Sequence, residues 1–249
     1  MTRTLIFLTL AMLVSCKGKG VSVGLSADPE FVCIPGETEL SWSVVSSPAS
    51  AEVSTELSVV ETDDETFTFS RIPFSSTLKN GRHVVGVPAG TTVFEATSRV
   101  APRVDRERIE VYGMGSETLD GMMTFEPDCD ENGSINGWQS VTLSGYSGRI
   151  APRGITNNSD RQIVISHGGV VRPLEPRETS SAWNGTNLGG LWEVSAVPLN
   201  RARRGADIVT ESCDPDVGPG GVVSTPVGDP VRTVPLAPLQ VAFSFGCVS

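Results

Sequence analysis

Four short stretches of this chain alternate apolar and polar residues, or cluster β-formers, at strand length: LSWSV (40–44), TFTFS (66–70), QIVIS (162–166) and VAFSF (241–245). No window after residue 15 keeps apolar residues at i, i+3, i+4 and i+7 for three turns. Strands send successive side chains to opposite faces, whereas helices repeat every 3.6 residues. A chain with the first pattern and without the second has no helical face on which to build a core. Turn-forming clusters lie between the stretches: Pro35-Gly36, Lys79-Asn80-Gly81, Pro88-Ala89-Gly90, Asn157-Asn158-Ser159 and Pro219-Gly220-Gly221. The fold class that follows is all-β, an antiparallel β-sandwich.

Residues 21–113 carry the more specific order of signals. LSADPEFVCIPGETELSWSV offers a strand, a turn at Pro35-Gly36 and a strand bearing Trp42. PAGTTVFEATSRVAPRVDRERIEVYG then gives a turn, a strand that places Thr92, Phe94 and Ala96 on one side, a loop and a closing strand. This order resembles the bacterial immunoglobulin-like modules found behind lipoprotein anchors, where a Pro-Gly turn precedes a Leu-x-Trp strand. The resemblance implies an immunoglobulin-like sandwich. Phe94 stands where such modules often carry tyrosine, so the corner hydroxyl bond is absent.

Residues 114–249 are expected to form a second β-sandwich-like domain. Trp192 opens a strand after Gly189-Gly190, faintly similar to jelly-roll modules with a Gly-x-Trp strand. Between Asp214 and Pro238 the chain holds six prolines, a density that reads as a long surface loop or edge rather than a central strand. LQVAFSFGC (239–247) returns as a terminal strand.

The address comes from the first twenty residues. Arg3 precedes ten uncharged residues, Leu5 to Val14, and a helix of that length covers roughly half of a hydrocarbon core. A basic residue, a short apolar run and a small residue are the marks of a secretory signal over 1–15. Leu13-Val14-Ser15-Cys16 resembles the lipobox of bacterial lipoproteins. The resemblance implies that Cys16 receives a diacylglycerol and becomes the mature N-terminus, with 16–20 as lipidated residue and tether. Lys17 stands where an aspartate would signal inner-membrane retention, so the expected site is extracytoplasmic at an outer membrane. Four cysteines remain, Cys33, Cys129, Cys213 and Cys247, and an even number in an exported chain suggests two disulfides with three connectivities open. Cys33 has no partner before position 129, so if all four pair within the chain, either a bond crosses between the two halves or the boundary lies elsewhere.

Few residues offer chemistry. Asp128, Asp130 and Asn132, with Gly133, match the opening of a calcium loop, but Gln139 stands where a bidentate glutamate would close it. Calcium is therefore the one cofactor considered, against a hydrated acidic turn. SHGGVV (166–171) is similar to the His-Gly-Gly oxyanion loops of α/β hydrolases, but no G-x-S-x-G elbow accompanies it. His167 and His83 then read as strand-end residues near turns. RARR (201–204) and TDDE (62–65) read as solvated charged turns. Trp42 and Trp192 are expected in the core, Trp138 and Trp183 as exposed stacking residues for a glycan. The formal charge of −10 disfavours nucleic acid. The expectation is a non-catalytic binding or structural lipoprotein of the cell envelope, held on a lipid bilayer by acylated Cys16, with an envelope protein or glycan as partner. A calcium-supported adhesion module and a secreted hydrolase are the alternatives.

Overall fold

Where alternation is long enough to bury one face, it becomes strand. The structure, a computed structural model, describes residues 20–70, 72–131, 134–196, 200–204, 207–213, 222–224 and 230–248. The first half contributes β1 (Val21–Asp28), β2 (Phe31–Cys33), β3 (Gly36–Ser46), β4 (Ser54–Thr62), β5 (Phe74–Ser76), β6 (Asn80–Val87), β7 (Gly90–Val100) and β8 (Arg103–Met114). They form two sheets, β1-β3-β6 and β2-β8-β7-β4-β5. All pairings are antiparallel except that of β2 with the last strand, β8.

Between these sheets lie Leu40, Trp42, Leu57, Phe94, Ala96 and Val111, all buried. The side-sharing expected of Thr92, Phe94 and Ala96 holds, since all three are enclosed. Gly81 pairs with Trp42 across β3 and β6, and a Cβ there would lie 2.1 Å from the indole Cζ2. The Asn80-Gly81 pair opens β6 rather than a hairpin turn, because the tryptophan needs a bare backbone opposite it. Gly81→Ala is expected to cost about 2 kcal/mol by forcing Trp42 off its seat, measured by thermal denaturation.

The second half adds β9 (Thr118–Phe125), β10 (Pro127–Cys129), β11 (Ile135–Trp138), β12 (Val141–Leu143), β13 (Ile150–Asn157), β14 (Ile163–His167), β15 (Val170–Leu174), β16 (Thr179–Ser180) and β17 (Gly190–Ala196). It closes with β18 (Asn200–Arg204), β19 (Asp207–Ser212), β20 (Val222–Ser224), β21 (Pro230–Pro235) and β22 (Leu239–Cys247). Two four-stranded sheets, β12-β17-β14-β15 and β16-β13-β22-β9, enclose Phe125, Ile155, Ile165, Trp192, Val241 and Phe243. A third sheet, β18-β19-β21-β20, and the β10-β11 hairpin complete the half. The described residues contain no α-helix. The chain is all-β, built of packed, mainly antiparallel sheets.

The halves meet at one pole of the first sandwich. The Phe31 amide donates to Gly145 O at 2.7 Å and the Ser147 amide to Phe31 O at 2.9 Å, so β2 bonds to both halves. The Phe31 ring stacks on Tyr146 at 4.9 Å, and Phe245 meets Tyr146 edge-on at 5.6 Å. Cys33 is bonded to Cys247, and the second core takes in Cys33 and Met114 from the first half. The cross-half bond that cysteine spacing allowed is this one.

Three expectations are corrected. TFTFS is not a strand. Asp64 Oδ1 accepts from the Thr66 amide and hydroxyl, and the Phe67 amide donates to Asp64 O, so the segment bonds locally. Its alternation serves to drop Phe69 edge-on against Phe94 at 6.0 Å. The proline-rich 214–238 stretch is not only a loop. Within it β21 lies between β19 and β20, and its prolines, Pro230 and Pro235, stand at the two ends, where a missing amide interrupts no interior pairing. Trp183 is not exposed; it has 0 % exposure and packs against Trp192, ring centroids 6.2 Å apart. Flanking Gly and Asn made it look like a loop residue, and it is one, but the loop folds inward over the core.

Candidate functional site

His167 closes β14, and its backbone turns at Gly168 and Gly169, both with positive φ. The ring lies flat on Trp192, centroids 3.8 Å apart and planes within 6°. Its Nδ1 is 2.8 Å from Leu191 O and its Nε2 is 2.7 Å from Asn187 O. Each nitrogen thus faces a main-chain carbonyl of the 187–191 segment. A neutral imidazole carries a single N–H and donates to one of the two, which fastens that segment to the sheet. His83, the other histidine, stacks on Phe74 at 4.1 Å.

The candidate calcium loop is a β-hairpin. Asp128 pairs with Gly137 across β10 and β11, and Cys129 is bonded to Cys213. The Ser134 amide donates to Asp130 Oδ1 at 2.7 Å, and the Asp130 amide donates to Ser134 O at 2.9 Å. Asn132 lies outside the described residues. Among the described residues no three His, Cys, Asp or Glu side chains gather to hold a metal ion. In the described part of the loop the Asp130 carboxylate accepts from its own turn. Trp138, the second stacking candidate, is half-buried against the second core, and its Nε1 is enclosed without a partner among the described residues. With Trp183 interior, the two indoles make no exposed platform. Cys16 lies outside the described residues, as do the side chains of 201–204.

The polar groups that sequence reading missed lie at the seam between halves and beneath the third sheet. Burial raises the Glu30 carboxyl above its ordinary range, and Asp28 adds to the effect. Burial also pushes up the Tyr146 phenol, with Glu30 contributing. Tyr146 Oη and Ser147 Oγ are enclosed without partners among the described residues. Tyr146 and Ser147 are half-buried at the aromatic joint, and Glu30 is exposed at its edge. The second missed constellation is Arg161, whose guanidinium donates to both oxygens of Glu211 at 2.6 and 2.5 Å. Only the separate halves of that pair are visible in sequence, fifty residues apart.

Two open grooves lie on the first sandwich. One, of about 690 Å³, is lined by Ile34, Pro35, Glu37, Asp64, Phe67 and Pro88. The other runs past Glu56, Ser58, Phe67 and Phe69. Asp64 is held below its ordinary range by the Thr66 hydroxyl and amide, which its carboxylate caps.

On the outer face of the five-stranded sheet Glu95 accepts from Arg108 Nε at 2.7 Å, with Arg106 Nε at 3.8 Å. The Arg108 bond holds the Glu95 carboxyl below its ordinary range. A depressed folded-state value adds stability above the unfolded value near pH 4.3 that is lost as pH falls through the folded one. Glu95→Gln is expected to be less stable than the parent by about 1 kcal/mol at neutral pH. The gap should close on acidification, followed by urea denaturation across pH.

These features define a disulfide-stapled, all-β protein. No protein-family model matches the chain, and no curated protein sequence matches it.

Proposed function

We propose that this chain is an envelope lipoprotein, anchored by acylated Cys16, that acts by binding or as a structural element rather than by catalysis. The observation that carries the reading is the abrupt end of the Leu5–Val14 run at Ser15-Cys16. Two chains on a glyceride hold a protein where one alone holds it only marginally. Both disulfides fit the oxidising side of a membrane. A non-catalytic role is supported by His167, whose ring lies against Trp192 and faces main-chain carbonyls, and by Asp64, whose carboxylate accepts from its own turn.

The first sandwich is read as an immunoglobulin-like module. What supports this is a three-stranded β1-β3-β6 sheet facing β2-β8-β7-β4-β5, with the leading edge crossing between sheets at Pro29 to run parallel to the last strand. Its entry, Gly20, and its exit, Met114, lie at opposite poles, so the module spaces the second sandwich away from the anchor.

Mass spectrometry of the envelope fraction tests the anchor. The expected mature N-terminus is Cys16 bearing diacylglycerol, and a Cys16→Ser variant should leave the membrane fraction. A mature chain that begins elsewhere and carries no acyl group overturns the proposal.

A further inference from the structure

The pole through which the chain enters the first sandwich differs from the rest of the surface. It is made of Gly20 and the start of β1, the 47–53 loop, residues 77–79 and the Ala101-Pro102 turn. These are tied together by the Ser47 amide donating to Gly20 O at 3.0 Å and by Lys79 Nζ donating to Ser46 Oγ at 2.8 Å. Eight large apolar side chains stand well exposed among the described residues, and three of them ring this pole: Val45 at 72 %, Leu78 at 64 % and Val104 at 46 %. Exposed Arg99 faces Val104 across β7 and β8, and exposed Arg103 reaches the entry point, its Nη1 being 3.5 Å from where a Cβ on Gly20 would stand. Of the acids nearby, Asp105 is turned inward to accept from the Val23 amide, which leaves Glu52 as the exposed carboxylate among the described residues. A cationic, apolar end on a chain of formal charge −10 is a local reversal of sign.

Resting on the anchor proposed above, we infer that this pole is a contact surface for an anionic lipid bilayer. The covalent chain fixes the distance. From Cys16 to Gly20 are four residue steps, which span at most about 14 Å when fully extended. An acylated Cys16 therefore holds the pole at the headgroup layer, within about two Debye lengths of the lipid charge at physiological salt. Arg99 and Arg103 are then attracted to that charge, as juxtamembrane basic residues are. Val45, Leu78 and Val104 meet the interface rather than water. The acidic remainder is held off, which orients the long axis of the first sandwich away from the surface.

The test uses the full mature chain in two arms. Flotation with neutral phosphatidylcholine vesicles reads the acyl anchor. Flotation with vesicles half phosphatidylglycerol, with hydrogen exchange of the bound chain, reads the pole. Several-fold slower exchange at 44–54, 77–81 and 99–105 is expected on the anionic vesicles alone. Arg99→Glu/Arg103→Glu should cut the anionic-over-neutral binding ratio at least about tenfold, and Arg99→Gln/Arg103→Gln by less. Equal exchange on both vesicle types, or a ratio untouched by either double variant, overturns the inference while leaving the anchor standing. A chain that ignores neutral vesicles but binds anionic ones through these arginines defeats the anchor and supports the pole; binding to neither defeats both.

Discussion

Replacing Cys33 and Cys247 together by serine is expected to lower the unfolding free energy by about 5 kcal/mol and the melting temperature by roughly 10–20 °C. The cysteines are 214 residues apart, most of the length of the chain, and loop-closure entropy removed from the unfolded state grows with the logarithm of that length. The bond also fastens the end of β22, an interior strand of its sheet, to β2 at the seam, so its loss loosens the joint between halves. The readout is urea denaturation by two probes, tryptophan fluorescence, to which the second half contributes three of the four indoles, and far-ultraviolet ellipticity for the whole. Coincident curves in the parent should separate in the variant. A variant that melts with the parent would show that the Phe31–Tyr146–Phe245 contacts carry the seam alone. The Cys129–Cys213 bond closes a shorter loop, separation 84, and ties β19's end to the β10-β11 hairpin.

Arg161→Met is expected to be the most damaging single substitution in the second half, at about 3–5 kcal/mol. Its guanidinium is 6 % exposed and the Glu211 carboxylate 4 %, so truncation leaves a buried charge without its bidentate partner. The Arg161 carbonyl is held as well, accepting from the buried Asn157 side chain at 2.7 Å. The pair fixes β19, and through it the third sheet, to the loop before β14. Thermal melts of Arg161→Met, Glu211→Leu and the double variant form the check. The double should recover most of the loss, because an apolar pair in the same space removes the orphaned charge. If the single variant loses less than 1 kcal/mol, the ion pair is not the fastening.

Sheet content, the placing of Trp42 and Trp192 in cores, and the shared face of Thr92, Phe94 and Ala96 were legible because a period of two is written locally. TFTFS shows the limit of that signal. Alternation records which side chains go inward, not whether the backbone finds a partner strand, and Asp64 took the amides first. Proline density around Pro230 and Pro235 likewise spoke for single residues, whereas position within a strand decides what a missing amide costs. Trp183 escapes the local signal because neighbouring glycines describe the path of a loop and not what the loop covers.

What the sequence determined by itself is what short-range geometry controls: many of the strands, several of the turns, the count of cysteines, and the lipobox resemblance at Cys16. Tertiary structure decided which cysteines met, which charges were buried, that both nitrogens of His167 face carbonyls, and that three exposed apolar residues share a pole with Arg99 and Arg103. Each of those joins positions tens to hundreds of residues apart. Their contact energies exist only once the sheets have stacked, so no local pattern can carry them.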